Sequence, residues 1–166
     1  ILRKHFVYNQ NMESYTLSDS RIRDLRSKLE STLGGDPLPD DAMIRFVEYG
    51  DGVITVDGDA RLFYDDETVY PLLPFLLENN FLDTVTIDMG AVPAISSGAD
   101  VMTPGVVDAA PGISKGSVVS VVDEDNNKPI AVATSRMDAE SLRSSSSGVG
   151  ATNQHYVGDT LWDEFF

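Results

Sequence analysis

The apolar positions change period twice along the chain. Between residues 18 and 35, Ile22, Leu25, Leu29 and Leu33 recur every third or fourth residue, which places them on one stripe of a helix. Ser18 or Ser20 can accept from the first free amides, and Gly34-Gly35 supplies a left-handed stop. Arg21, Arg23, Arg26 and Lys28 fall largely off the stripe and form a solvated basic face. After the polar link Asp36-Pro37-Leu38-Pro39-Asp40-Asp41 the pattern becomes that of strands. Met43 to Tyr49, Val53 to Val56 and Ala60 to Tyr64 are separated by Gly50-Asp51-Gly52 and Asp57-Gly58-Asp59, and this predicts a three-stranded antiparallel meander. Pro71 to Glu78 follows as a short helix or turn with an apolar face.

Beyond Leu82 the strands shorten and the small residues multiply. Val85 to Asp88 is a strand, Gly90 to Ala99 a helical turn or two ended by Gly98, and Val101-Met102 leads into a kinked strand at Pro104 to Val107. Ser117 to Val122 and Pro129 to Thr134 form a hairpin around Asp123-Glu124-Asp125-Asn126-Asn127-Lys128, Asp138 to Leu142 is a helical turn, and His155 to Val157 approaches as a last strand. Short strands at close intervals with Gly and Pro between them predict a small barrel. The whole is α+β: an N-terminal helix plus antiparallel meander domain over residues 1–83, then a C-terminal β pseudo-barrel over residues 84–166.

Charge first argues against one class of partner. The 166 residues carry 27 acids and 12 bases, a formal net charge of −15, and phosphate repels carboxylate. The charge is uneven, however: residues 1–33 come to +2, residues 34–83 to −10 and residues 84–166 to −7. Its chemistry is also skewed, with 19 Asp against 8 Glu and only 4 Lys beside 8 Arg. Short hydrated carboxylates with few ammonium side chains suit concentrated salt, where the Debye length of ~3 Å at 1 M screens self-repulsion. The expectation is a halophilic cytoplasm, with a generic acidic domain as the alternative.

The absence of cysteine removes disulfide scaffolds, thiolate zinc sites, iron–sulfur clusters and cysteine nucleophiles. No apolar run approaches the ~20 residues of a membrane span, and Ile1-Leu2-Arg3-Lys4-His5 lacks the apolar core of a signal peptide, so the cytoplasm is the expected address. Without an initiator Met, the start reads as trimmed or incomplete. Asp123, Asp125 and Asn127 match the first ligand positions of a calcium loop, but Lys128 and Thr134 stand where Gly and a bidentate Glu are required, so a hairpin turn is expected and no metal. Gly148-Val149-Gly150-Ala151-Thr152-Asn153 lacks the third glycine of a dinucleotide fingerprint. His155, with Asp159 nearby, would need a serine to make a hydrolytic triad; no nucleophile elbow accompanies it, and a structural or surface histidine is the simpler reading.

Ordered motifs carry more information than any of these. Ile87-Asp88-Met89-Gly90-Ala91-Val92, then Ser97-Gly98-Ala99-Asp100-Val101-Met102-Thr103-Pro104-Gly105-Val106, then Ile130-Ala131-Val132-Ala133, then Gly148 to Trp162 in series, resemble a PUA domain. The tail resembles the translation-associated branch that includes the malignant T-cell-amplified protein and ligatin. The helix, the meander and Val69-Tyr70-Pro71-Leu72-Leu73 are similar, more weakly, to the domain that precedes the PUA module in that branch.

The resemblance implies a non-catalytic RNA-binding protein, associated with translation in initiation, reinitiation or ribosome recycling and contacting tRNA or ribosomal RNA. The alternative is an accessory or targeting subunit for an RNA-modification enzyme. It implies an RNA face of Ser97, Gly98, Ala99, Met102, Thr103, Pro104 and Gly105, faced by Gly150, His155 and Tyr156, with Arg136 nearby. Glycines there would let sugar and phosphate approach the backbone, although Gly98 and Gly105 can equally be turns, and Met102 core. RNA, the small ribosomal subunit and a SUI-domain partner in trans are the expected partners, with no cofactor, no small-molecule substrate and no membrane. The face is poor in bases, Lys115, Arg136 and Arg143 being the candidates. Salt adaptation makes its own prediction: the denaturant midpoint should rise steadily between 0.1 and 2 M KCl, and a fold indifferent to the removal of molar KCl would show the acidic surface to be generic.

Overall fold

In the computed structural model, which describes residues 11–166, the first helix is defined by its caps. α1 (Asp19–Leu33) starts where the Ser18 hydroxyl accepts from the Arg21 amide and stops at Gly34, whose φ of 76° lets its N–H reach the Glu30 carbonyl. Leu25 and Leu29 are its buried residues, as the stripe requires. Arg3, Lys4 and His5 lie outside the described residues.

α1 packs beside a five-stranded antiparallel sheet of β1 (Ser14–Thr16), β2 (Ile44–Val47), β3 (Val53–Val56), β4 (Asp59–Asp65) and β5 (Thr68–Pro71), hydrogen-bonded in that order. The sequence predicts three of these strands. The flanking two are three and four residues long, and Pro71, with no amide to donate, ends the edge strand β5. Every residue of β3 is buried, as befits the centre of the sheet. The β3–β4 turn places Asp57 and Gly58 at φ of 52° and 90°, the left-handed pair that a tight hairpin needs.

The described chain divides into two compact units, residues up to Leu72 together with Leu161–Phe166, and Leu73–Thr160. The C-terminal segment belongs to the first unit because the Phe165 ring meets Tyr49 edge-on at 5.3 Å. That segment lies in α5 (Thr160–Phe165), a helix not anticipated from the sequence.

The second unit contains α2 (Leu73–Glu78), β6 (Thr84–Ile87), α3 (Val92–Ile95), β7 (Val101–Met102), β8 (Val106–Ala109), β9 (Val118–Asp123), β10 (Pro129–Ser135), α4 (Ala139–Ser144) and β11 (Val149–Tyr156). Its strands form one six-stranded sheet in the order β7-β11-β10-β9-β6-β8, antiparallel except for the parallel pair β6–β9. Val85, Ile87, Ile95, Val101, Val119, Val121 and Leu142 form its apolar core with the alanines of β10 and β11. The β9–β10 tip is a turn, as expected: Asp123 Oδ1 accepts from the backbone amides of Asp125 and Asn126 and from the Asn126 side chain.

Two carboxylates secure local structure by accepting from amides. The Asn126 amide above all, then the Lys128 amide, the Asn126 side chain and the Asp125 amide, holds the Asp123 carboxyl below the ordinary carboxylate range against the opposing effect of burial. Asp138 caps α4 by accepting from the Ser141 amide at 2.8 Å, and that contact holds its carboxyl low in the same way. A lowered folded-state value means that the stabilisation is present above the unfolded value near 3.8 and disappears as pH falls through the folded one. Denaturant midpoints should therefore hold from pH 7 to about 5 and fall below pH 4, with Asp138→Asn shallowing the drop because Asn still caps but does not titrate. Core packing gives a larger and pH-independent effect. Leu142→Ala should cost about 2–5 kcal/mol in equilibrium unfolding, whereas Leu77→Ala, on an exposed side chain of α2, should cost less than about 1.

Candidate nucleic-acid interface

Two segments far apart in sequence are brought together by a short ladder. β7 pairs with β11 through Met102 opposite Val149 and Val101 opposite Ala151, with Gly150 as the extra residue of a bulge. A Cβ at Gly150 would lie 2.9 Å from Leu142 Cδ2 and 3.3 Å from Thr103 Cγ2, so the bulge packs against α4 and the turn Thr103–Gly105 only because the side chain is missing. The Thr103 amide donates to the Gly148 carbonyl, closing the same corner.

The loop after α3 is held onto β11 by one side chain. The Asn153 amide group donates to the carbonyls of Ile95 and Ala99, at 3.1 and 3.0 Å, and the Asn153 backbone amide donates to Asp100 Oδ1 at 2.9 Å. Within that loop the Ser97 hydroxyl donates to the Pro93 carbonyl. Gly98 has φ of 98° and lies over the ring of Tyr156, where a Cβ would meet Cε1 at 2.9 Å. Opposite sides of the loop thus rest on Asn153 and Tyr156, both from β11.

Three of the residues expected at an RNA face lie beneath it. His155 is 0% exposed: its Nε2 accepts from the Leu73 amide at 3.1 Å, and its Nδ1 faces Asp159 Oδ2 at 2.7 Å. With Nε2 as acceptor, the neutral ring carries its proton on Nδ1, toward Asp159. His155 therefore supports the face and does not touch a ligand on it, and the ring nitrogen that a hydrolytic serine would use is taken by a backbone amide. Thr103 and Gly150 are buried as well, Thr103 with a hydroxyl that lacks a hydrogen-bond partner. On the open side are Ser97, Ala99, Pro104 and Met102, the last 49% exposed, together with half-buried Gly98 and Gly105; Tyr156, also half-buried, packs against the core of the second unit.

Cations are few at this surface. Arg136 is exposed, and its backbone amide donates to the Gly150 carbonyl, which fixes its Cα at the edge of the face. Arg143 is committed to structure through a 2.6 Å bond to the Ala109 carbonyl. Among the described residues, no three of His, Asp and Glu converge as a metal cage, and no helix is long and apolar enough to cross a membrane. The chemistry on offer is an apolar surface with one cation at its rim, suited to stacking and close backbone approach more than to phosphate neutralisation.

The Asn153 clamp and its partner Asp100 were not singled out from the sequence. In a chain with 19 Asp, one more Asp carries no signal, because its role depends on a strand 53 residues away.

Comparison with known proteins places this surface in a family. Residues 83–157 match the PUA domain. An uncharacterized protein of Methanocaldococcus jannaschii is 39% identical over 112 residues, 67% of this chain and 69% of its own. Translation machinery-associated protein 20 of Eremothecium gossypii is 29% identical over 87% of this chain and 84% of its own. Malignant T-cell-amplified sequence 1-B of Xenopus laevis is 31% identical over 66% of this chain and 64% of its own. The crystal structure of a PUA domain from Aeropyrum pernix, solved as a tartrate complex, superposes with a TM-score of 0.83 over 92% of this chain and 90% of that one, at 30% identity. With the ordered motifs and the β7–β11 corner in place, the chain belongs to the PUA-domain family, in the branch of the malignant T-cell-amplified and translation machinery-associated proteins.

Proposed function

We propose that this protein binds RNA without catalysing a reaction on it, as a translation-associated factor of the cytoplasm. In this reading the PUA pseudo-barrel of residues 84–166 contacts tRNA or ribosomal RNA, the α+β domain of residues 1–83 precedes it, and the protein serves initiation, reinitiation or ribosome recycling. The small ribosomal subunit and a SUI-domain protein are its partners. The observation that carries the reading is the β7–β11 corner, where Ser97 to Gly105 and Gly150 to Tyr156 meet on one surface of a chain whose relatives include translation machinery-associated proteins.

The physical division of labour follows from burial. Met102 and Pro104 offer faces for bases and sugars, Gly98 and Gly105 keep the backbone within reach, and Arg136 supplies one phosphate contact. Asn153, His155, Thr103 and Gly150 hold those groups in place. With one cation, affinity should depend weakly on salt, since each neutralised phosphate adds a slope of only about 0.7 to 0.9 in log affinity against log salt. That suits a factor working in a halophilic archaeal cytoplasm, where counterion release contributes little.

Crosslinking in native lysate at molar KCl, followed by sequencing of the bound RNA, tests the proposal. Enrichment of tRNA or ribosomal RNA together with small-subunit proteins supports it. Recovery of a modification enzyme without ribosomes would favour an accessory role in RNA modification, and no enriched RNA would remove the reading. In vitro, Arg136→Gln should lower the salt slope for the recovered RNA by about 1. Gly98→Ala should weaken binding about tenfold and destabilise the fold by about 1 kcal/mol, because a methyl group at φ of 98° displaces the Tyr156 ring.

A further inference from the structure

The first unit carries a groove that no part of this function uses. Gly52, just before β3, lies between two rings: a Cβ there would overlap the Phe46 ring and lie 3.3 Å from Tyr64 Cδ2. Phe46 on β2 and Tyr64 on β4 thereby approach to 6.1 Å between centroids, and Tyr15 on β1 stacks on Phe46 at 5.3 Å. α1 runs alongside this aromatic row, leaving a cavity of about 240 Å³ lined by Leu17, Arg21, Asp24, Leu25, Lys28, Phe46 and Tyr64. Burial pushes the Tyr64 phenol above its ordinary range, with the Arg21 charge opposing, so it remains a neutral hydrogen-bond donor.

The cations of α1 differ in what holds them. Arg26 is a structural arginine, bonded to Asp36 at 2.6 Å and to the carbonyls of Leu38 and Pro39. Arg21 and Lys28 instead stand at the groove over aromatic faces, each 5.7 Å from a ring centroid, Arg21 over Tyr15 and Lys28 over Tyr64. Arg21 also donates to the Tyr15 hydroxyl, and Lys28 to the Glu67 carbonyl, contacts that leave donors of both heads for a further anion. Two cations beside an aromatic-walled cavity, in a chain of net charge −15, mark a local reversal of the field.

We propose that this groove takes one aromatic base with its phosphate, the base against Phe46 and Tyr64, the phosphate on Arg21 and Lys28, and an exocyclic amino group donating to Asp24. A cavity of about 240 Å³ lies below the ~300–1,000 Å³ typical of larger ligands and suits a single base. An acidic peptide would satisfy the two cations but leave the ring faces and Asp24 unmatched. The base belongs either to a free nucleotide or to a single-stranded RNA segment, and the site stands independently of the corner formed by residues 97–105 and 149–156.

The full chain, titrated with 5′-phosphorylated fluorescent hexa-adenylate and with an abasic hexamer of equal charge, tests this by anisotropy. Hexa-adenylate should bind at least about tenfold tighter than the abasic strand, since base–aromatic stacking contributes on that scale. Arg21→Gln combined with Lys28→Gln, at two exposed positions, should weaken binding about tenfold and reduce the salt slope by about 0.7, the value for one phosphate of a single strand. Tyr64→Leu should weaken it comparably, and ultraviolet crosslinks should map to Phe46 or Tyr64. Adenosine monophosphate that displaces the hexamer assigns a free nucleotide; failure to displace it assigns an RNA strand. Equal affinity for the abasic strand would make this an anion site of the kind an acidic peptide fills, and overturn the proposal. Affinity unchanged by Arg21→Gln with Lys28→Gln, or crosslinks confined to residues 97–105 and 149–156, would overturn it as well while leaving the reading of the second unit intact.

Discussion

A fully buried imidazole cannot keep either ring nitrogen unpaired at a tolerable cost, and His155 meets that requirement with partners from both sides of its own strand end. Nε2 accepts the first amide of α2, at Leu73, and Nδ1 faces Asp159 just past the end of β11. Asp159 Oδ2 accepts from the Tyr156 amide too. Along a strand, alternate residues point to opposite faces, so with His155 turned toward α2 the next ring lies on the face of Ala131, packed against the core of the second unit. Tyr156 is that next ring, and Gly98 rests on it.

Bulges and missing side chains complete that arrangement. The β10–β11 ladder shifts register between Val132 and Ala133, which lets Asn153 face the α3 loop while His155 still points inward. Gly150 performs the same service for the β7 ladder, where a methyl group would collide with Leu142. Gly52 does so in the first unit, where it lets Phe46 and Tyr64 close into an aromatic row. In all three places a local departure from regular strand geometry, or a missing side chain, sets the position of the neighbouring groups.

The negative charge has a narrower meaning than its total suggests. Most carboxylates are spread over exposed positions, and several are bound into the structure: Asp100, Asp123, Asp138 and Asp159 accept backbone amides, and Asp36 holds Arg26. The cations near α1 and the corner of the second unit are few enough to be followed individually, and two of them are committed to structure: Arg26 to Asp36, Arg143 to the Ala109 carbonyl. A surface of this kind offers stacking and close backbone approach, which concentrated salt does not screen.

Much of this was legible in the residues themselves, because local rules govern it. The helix from Ser18 to Gly34 follows from its cap, stripe and stop; the Asp57-Gly58 hairpin and the Asp123 turn follow from side chains that reward left-handed or turning backbone; and the order of motifs from Ile87 to Trp162 identified the PUA family. What remained hidden was set by pairing at long range. The short strands β1 and β5 exist because a neighbouring strand completes them, and α5 lies with the first unit through Phe165 against Tyr49. The residues alone read His155 as a structural or surface histidine and the resemblance places it at the RNA face; only the structure decides for burial, which is a property of the assembled sheet and not of a residue type. The same holds for the cation-flanked groove: sequence showed a basic helix face, and only the packing of α1 beside Phe46 and Tyr64 brought two of those bases to one cavity.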